Sequence, residues 1–111
     1  MKHLNLLVLR SPDIERARWF YEHFGMRFVR HAHGAGPEHY AHEDERGVFE
    51  IYPARDGDGL DKTGLGFSVP DLADTHHKLA AYEPQPVTDN EWGTSFVVRD
   101  PDGRRIEVKQ A

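Results

Sequence analysis

The feature that most constrains this chain is that it says the same thing twice. Around Asp13 it reads Val8-Leu9-Arg10-Ser11-Pro12-Asp13-Ile14, and around Asp71 it reads Gly66-Phe67-Ser68-Val69-Pro70-Asp71-Leu72. A second pair follows, Gly47-Val48-Phe49-Glu50-Ile51-Tyr52 and Arg104-Arg105-Ile106-Glu107-Val108-Lys109. Asp13 and Asp71 are 58 positions apart, and Glu50 and Glu107 are 57 apart. Two landmarks recurring at nearly one interval indicate two copies of one supersecondary unit. Equivalent side chains then arise in each half, and Glu50 and Glu107 are the matched pair of greatest chemical interest.

With 111 residues the chain suits one domain built from two small modules. The expected boundaries are about 1–53 for the first module, 54–63 for a connector and 64–111 for the second. In the first module, Leu4–Arg10 reads as a strand, and Ser11 is the expected helix N-cap with Pro12 just inside. Ile14, Ala17, Phe20, Tyr21 and Phe24 then form an apolar stripe at helical spacing, and Gly25 is placed for a left-handed cap. Strands are expected at 26–33, 38–42 and 47–52, with Glu43-Asp44-Glu45-Arg46 as an acidic turn. The second module repeats this order: a strand at 64–69, a helix at 71–82, then strands near 85–88, 93–99 and 104–109. The last two are joined by Asp100-Pro101-Asp102-Gly103, a strong turn signal. Each half is therefore βαβββ, and the fold class is α+β.

Composition narrows the partners. A formal charge of −5 without a basic block makes nucleic acid an unexpected partner. No apolar run is long enough for a membrane span or a secretory core, so no membrane association and a cytoplasmic location are expected. Cysteine is absent, which excludes disulfides and thiolate chemistry. Phosphate-cradling loops, a nucleophile elbow and a dinucleotide fingerprint are missing as well.

The string Ser11-Pro12-Asp13-Ile14-Glu15-Arg16-Ala17-Arg18-Trp19-Phe20-Tyr21 followed by Gly25, together with Asp100-Pro101-Asp102-Gly103-Arg104-Arg105-Ile106-Glu107, resembles the vicinal oxygen chelate superfamily along the whole chain. That superfamily includes glyoxalase I, bleomycin- and fosfomycin-resistance proteins and extradiol dioxygenases. The resemblance implies two tandem βαβββ modules forming a curved, cup-like mixed sheet, a small-molecule ligand held between the modules, and assembly as a homodimer. Glyoxalase-like relatives also bind a divalent metal (Ni, Zn, Mn or Fe) through one residue on each opening strand and a Glu on each closing strand. Here Glu50 and Glu107 occupy both closing-strand positions and are the candidate metal ligands and catalytic groups. Counting back from Asp71, the opening-strand position is Gly64, which has no side chain. Counting back from Asp13 gives Leu6, or Asn5 if the strand bulges by one residue. The expected ligand set is therefore incomplete.

Eight histidines are many for this length. His31, His33 and His39 flank one loop, where they either approach one another as a second metal site or form an exposed polar hairpin. His76 and His77 are adjacent on a helix and cannot act as an i, i+4 ligand pair. Strand alternation sends one of His39 and Tyr40 toward the cavity and the other away. The expected substrate-binding residues are Asn5, Leu7, His39, Tyr40 and Trp92, the last through its indole at the rim. Trp19 lies off the helical stripe and is a candidate for a subunit interface.

Two functions from different classes follow. The first is a glyoxalase-like protein acting as a metal-assisted lyase or isomerase of the lactoylglutathione lyase type, with Glu50 and Glu107 central. The second is a non-catalytic protein that sequesters a drug or metabolite, as bleomycin-resistance proteins do.

Overall fold

The computed structural model describes residues 2–59 and 61–111. Met1, in the first expected module, and Leu60, in the expected connector, lie outside the described residues. The chain divides into two compact units, one of Met1–Glu22 and Met26–Asp58, the other of His23–Gly25 and Gly59–Ala111. Each is built on a four-stranded mixed sheet with one α-helix against it.

The first unit runs β1 (Leu6–Ser11), α1 (Ile14–Tyr21), β2 (Val29–His31), β3 (His39–Asp44) and β4 (Gly47–Pro53). The second runs β5 (Leu65–Val69), α2 (Leu72–Lys78), β6 (Thr88–Asn90), β7 (Gly93–Arg99) and β8 (Arg105–Gln110). The strand orders, β1-β4-β3-β2 and β5-β8-β7-β6, are the same. In both, the opening strand pairs parallel with the closing strand, while the remaining pairs are antiparallel. The registers match as well: Val8 lies opposite Glu50, and Gly66 opposite Glu107.

The repeated aspartates are the helix caps. Asp13 and Asp71 adopt nearly identical extended conformations and accept the N–H of Arg16 (3.1 Å) and Asp74 (3.0 Å). Ser11, the expected cap, is instead the buried last residue of β1, and its hydroxyl is taken up by the backbone of Asp13. Both residue types cap well, and burial of Ser11 decides between them. Ala17, Phe20 and Tyr21 of α1 are buried against the sheet with Leu9, Phe49 and Ile51, the Tyr21 and Phe49 rings 5.1 Å apart. Phe24 departs from the expected stripe. It sits in a short 3-10 turn that belongs to the second unit, and within that unit it stacks on Phe67, with ring centroids 4.6 Å apart. The second helix is shorter than expected, ending at Lys78 before a 3-10 turn over Ala80–Tyr82.

The turn at Asp100–Gly103 closes as its sequence requires, with Gly103 at φ +89° and its N–H bonded to the Asp100 carbonyl at 3.0 Å. Arg104 follows and is buried. Its guanidinium meets Asp100 at 3.0 Å and Asp61 at 2.6 Å. Burial alone would lower the proton affinity of that guanidinium, but the hydrogen bonds it donates to Asp61 and Asp100 outweigh it and raise it above its ordinary value. Conversely, hydrogen bonding to Arg104 holds the Asp61 carboxyl below the usual range.

In the first unit the critical contact is between backbones. Gly47 opens β4 at φ +147°, and a β-carbon there would fall inside the Asn5 backbone. The Asn5 carbonyl accepts the N–H of Val48 at 2.9 Å. The close approach that glycine permits thus fixes the register of β1 on β4.

Three consequences are measurable. Replacing Arg104 by Met removes the cation paired with the fully buried carboxylate of Asp100, leaving it the backbone N–H groups of residues 102 and 104, and should cost about 3 kcal/mol in urea unfolding at pH 7. Asp61→Asn should cost less, on the order of 1 kcal/mol or below, because Asp61 is 44% exposed. The depressed Asp61 carboxyl contributes stability above its unfolded value, near pH 4, and loses it as pH falls through the folded value. The difference between wild type and Asp61→Asn should accordingly shrink toward acid. Gly47→Ala should cost about 1–3 kcal/mol and reduce hydrogen-exchange protection at the Val48 amide; retained protection would contradict the register argument.

Candidate functional site

One face of the first sheet carries α1, and the other carries the chemistry. Side chains alternate along a strand, so residues opposite one another in register share a face. Leu6 lies opposite Val48 and Glu43, Val8 opposite Glu50 and Ala41, and Arg10 opposite Tyr52, on whose ring His39 stacks. His31 of β2 pairs with His39. Together these rows form the open face.

Its polar corner is tightly arranged. The Tyr52 ring is covered on one side by His39, with centroids 4.1 Å apart and planes within 8°, and is approached by the Arg10 guanidinium at 5.3 Å. His39 is 1% exposed, and its Nδ1 faces the Pro37 carbonyl at 3.3 Å. Its Nε2 lies 3.4 Å from the half-buried carboxylate of Glu50. That is ion-pair distance, yet the two do not line up as a hydrogen bond. Among the described residues, Nε2 of His39 is the buried side-chain polar atom left without a partner. His31 and His33 stand beside it, with ring centroids 5.9 and 5.2 Å from that of His39. Leu6, Ala41, Val48, Glu43, Glu50 and these histidines line an open groove of about 290 Å³.

The expected site residues separate by face. Glu50 and His39 come together. Tyr40, one position along, turns to the helix side, where it is buried and its hydroxyl donates to Glu15. Hydrogen bonds from Tyr40 and Arg18 hold the Glu15 carboxyl below its usual range. Leu7 also alternates to the helix side. Asn5 precedes β1, exposed, with its backbone engaged by Gly47 and Val48. Leu6, weighed against Asn5 for the cavity-facing position, shares the face of Glu50.

The second unit presents a different surface at the equivalent places. Matching registers align Leu6 with Gly64, Val8 with Gly66, Glu50 with Glu107, Tyr52 with Lys109, His39 with Ser95 and His31 with Thr88. Glu107 is more exposed than Glu50 and is flanked by Lys109 at 3.3 Å and Arg105 at 3.8 Å. With Asn90, Trp92, Gly93, Ser95 and Lys109 it lines a shallow groove of about 220 Å³. Trp92 is 80% exposed.

A divalent metal of the family type needs a donor from each opening strand. Leu6 and Val8 in one unit, and Gly64 and Gly66 in the other, provide none. Nor do three His, Asp or Glu groups among the described residues converge on one point as the side chains stand. The residues present do not fit that four-ligand site.

Among the described residues, no helix is long and apolar enough to cross a membrane. No curated protein matches the chain. Among solved structures, an integron cassette protein from V. cholerae is 27% identical over 99% of this chain and 95% of its own, with a TM-score of 0.67. A lactoylglutathione lyase from Agrobacterium tumefaciens aligns over 100% of this chain and 95% of its own at 16% identity and TM-score 0.70. A bleomycin-binding protein complexed with bleomycin does so over 100% and 99%, at 20% identity and TM-score 0.65. These last two share the fold. The model of the Glyoxalase/Bleomycin resistance protein/Dioxygenase superfamily matches residues 3–108, and with the duplicated βαβββ architecture this establishes that the chain belongs to that superfamily.

Proposed function

We propose that this protein binds a small organic molecule on the open face of its first module and holds it without transforming it. The observation that carries this reading is an apolar strip beside a polar corner. Leu6 and Val8 are 51% and 41% exposed on a sheet face, next to Ala41 and Val48. At the end of the strip stand Glu50 and the unpartnered Nε2 of His39. Apolar floor with a few convergent polar groups is the composition of a small-molecule site. The ligand's apolar part would cover the strip, and its polar part would meet Glu50 and His39. The bleomycin-binding relative makes holding a ligand a natural use of the fold.

The lyase reading, with Glu50 and Glu107 as catalytic groups around Ni, Zn, Mn or Fe, draws on the fold shared with the lactoylglutathione lyase. Leu6 and Gly64 weigh against it, because they leave both opening-strand positions without a donor. Assembly as a cytoplasmic homodimer belongs to the same proposal as the binding function.

Dialysis of chelator-treated protein against a metabolite and drug mixture, with mass spectrometry of what is retained, tests this directly. The expected result is an intact ligand whose affinity falls about tenfold in Glu50→Gln and at least as much in Leu6→Lys, with Glu107→Gln near wild type. A chemically altered ligand, or one lost on Glu107→Gln and indifferent to Leu6→Lys, would overturn the reading.

A further inference from the structure

We infer that the His39–Glu50 corner, with His31 and His33, is a transition-metal site distinct in its ligands from the four-ligand site of the superfamily. The inference shares with the proposed function only the premise that this is the binding face.

Distance is the first argument. Two donors on one tetrahedral zinc, each about 2.0–2.1 Å from the ion, lie roughly 3.3–3.4 Å apart. His39 Nε2 and the Glu50 carboxylate are 3.4 Å apart, with no hydrogen bond joining them. Two groups are thus already spaced as ligands of one ion, and one of them is a buried nitrogen without a partner.

Orientation is the second. A metal-binding imidazole usually donates its other ring N–H to a carbonyl or carboxylate, which fixes the tautomer and aims the free nitrogen at the ion. In His39 the other nitrogen faces the Pro37 carbonyl at 3.3 Å, and stacking on Tyr52 holds the ring plane.

Supply of further ligands is the third. Imidazoles sharing one tetrahedral ion keep their ring centroids roughly 5 Å apart, given the bond lengths above. The rings of His33 and His31 lie 5.2 and 5.9 Å from His39. They stack rather than converge, which is why no three donors meet on one point. Both are exposed, and exposed side chains exchange rotamers readily, so a turn of either ring completes a third and fourth position. Imidazole nitrogen with one carboxylate selects Zn, Ni or Cu over Mg or Ca. In the second unit, Ser95 and Thr88 stand where His39 and His31 stand, so the site is confined to the first.

The test is calorimetric titration of the full, untagged, chelator-stripped chain with Zn²⁺ alone and with Ni²⁺ alone. One ion per chain should bind with micromolar or tighter affinity. The exposed double substitution His31→Ala/His33→Ala and the single substitution His39→Ala should each weaken it by about 100-fold or more, Glu50→Gln by at least about tenfold, and Glu107→Gln by less than about twofold. The double variant lies outside the core, so it reads coordination even if His39→Ala fails to fold. Absence of binding, binding that survives the double variant, or equal loss on Glu107→Gln would overturn the inference. None of those outcomes touches retention of an organic ligand by metal-free protein, so the two proposals fail separately.

Discussion

Parallel pairing of β1 with β4, pinned where the Asn5 backbone passes over Gly47, determines what the rest of the first module can be. Parallel strands in one sheet need a crossover, and α1 supplies it on a single face. Once β1 is in register, alternation allows no choice. Leu9 and Ser11 go to the helix side with Phe49 and Ile51, and Leu6, Val8 and Arg10 go to the side of Glu50 and Tyr52. A slip of one residue would bury Arg10 and expose Leu9, so the core itself enforces the register. The second module repeats the arrangement from a different sequence, with Gly66 opposite Glu107.

Shared backbone with divergent open faces is the functional meaning of the duplication. In the first module, His39, Tyr52 and Arg10 form a stacked row beside Glu50 over an apolar strip. In the second, the same row holds Ser95, Lys109 and Ser68, and Glu107 is neutralised by flanking cations. A symmetric pair of carboxylates in the sequence therefore becomes two unlike environments. One carboxylate is half-buried beside an imidazole whose Nε2 has no hydrogen-bond partner, and the other is a partly exposed carboxylate in ordinary surface ion pairs.

Much of this was legible in the residues. The repeated aspartates, Gly25, Asp100–Gly103 and the closing-strand glutamates are local signals, and local signals survive without tertiary knowledge. Sequence alone points to Ser11 as readily as to Asp13 for the helix cap, because both residue types cap well and only burial separates them. Whether Asn5 or Leu6 faced the cavity was undecidable locally, since the answer lies in a contact across 42 positions between Asn5 and Gly47. Glu50 and His39 are both candidates from sequence, and their juxtaposition also has a sequence signal. Treating Glu45-Arg46 as a two-residue hairpin turn sets Asp44 against Gly47. Counting back then puts Ala41 against Glu50, which is the observed pairing, and His39 level with Tyr52, on whose ring it stacks.

The claim on which the account turns is that His39 keeps Nε2 available for something held on this face. Long-range ¹⁵N–¹H spectra of the imidazole rings, recorded before and after saturation with Zn²⁺, test it most directly. Nε2 of His39 should shift strongly while Nδ1 keeps its proton toward the Pro37 carbonyl, with His31 and His33 responding and His76 and His77 unmoved. A His39 ring that does not respond while helix histidines do would contradict it.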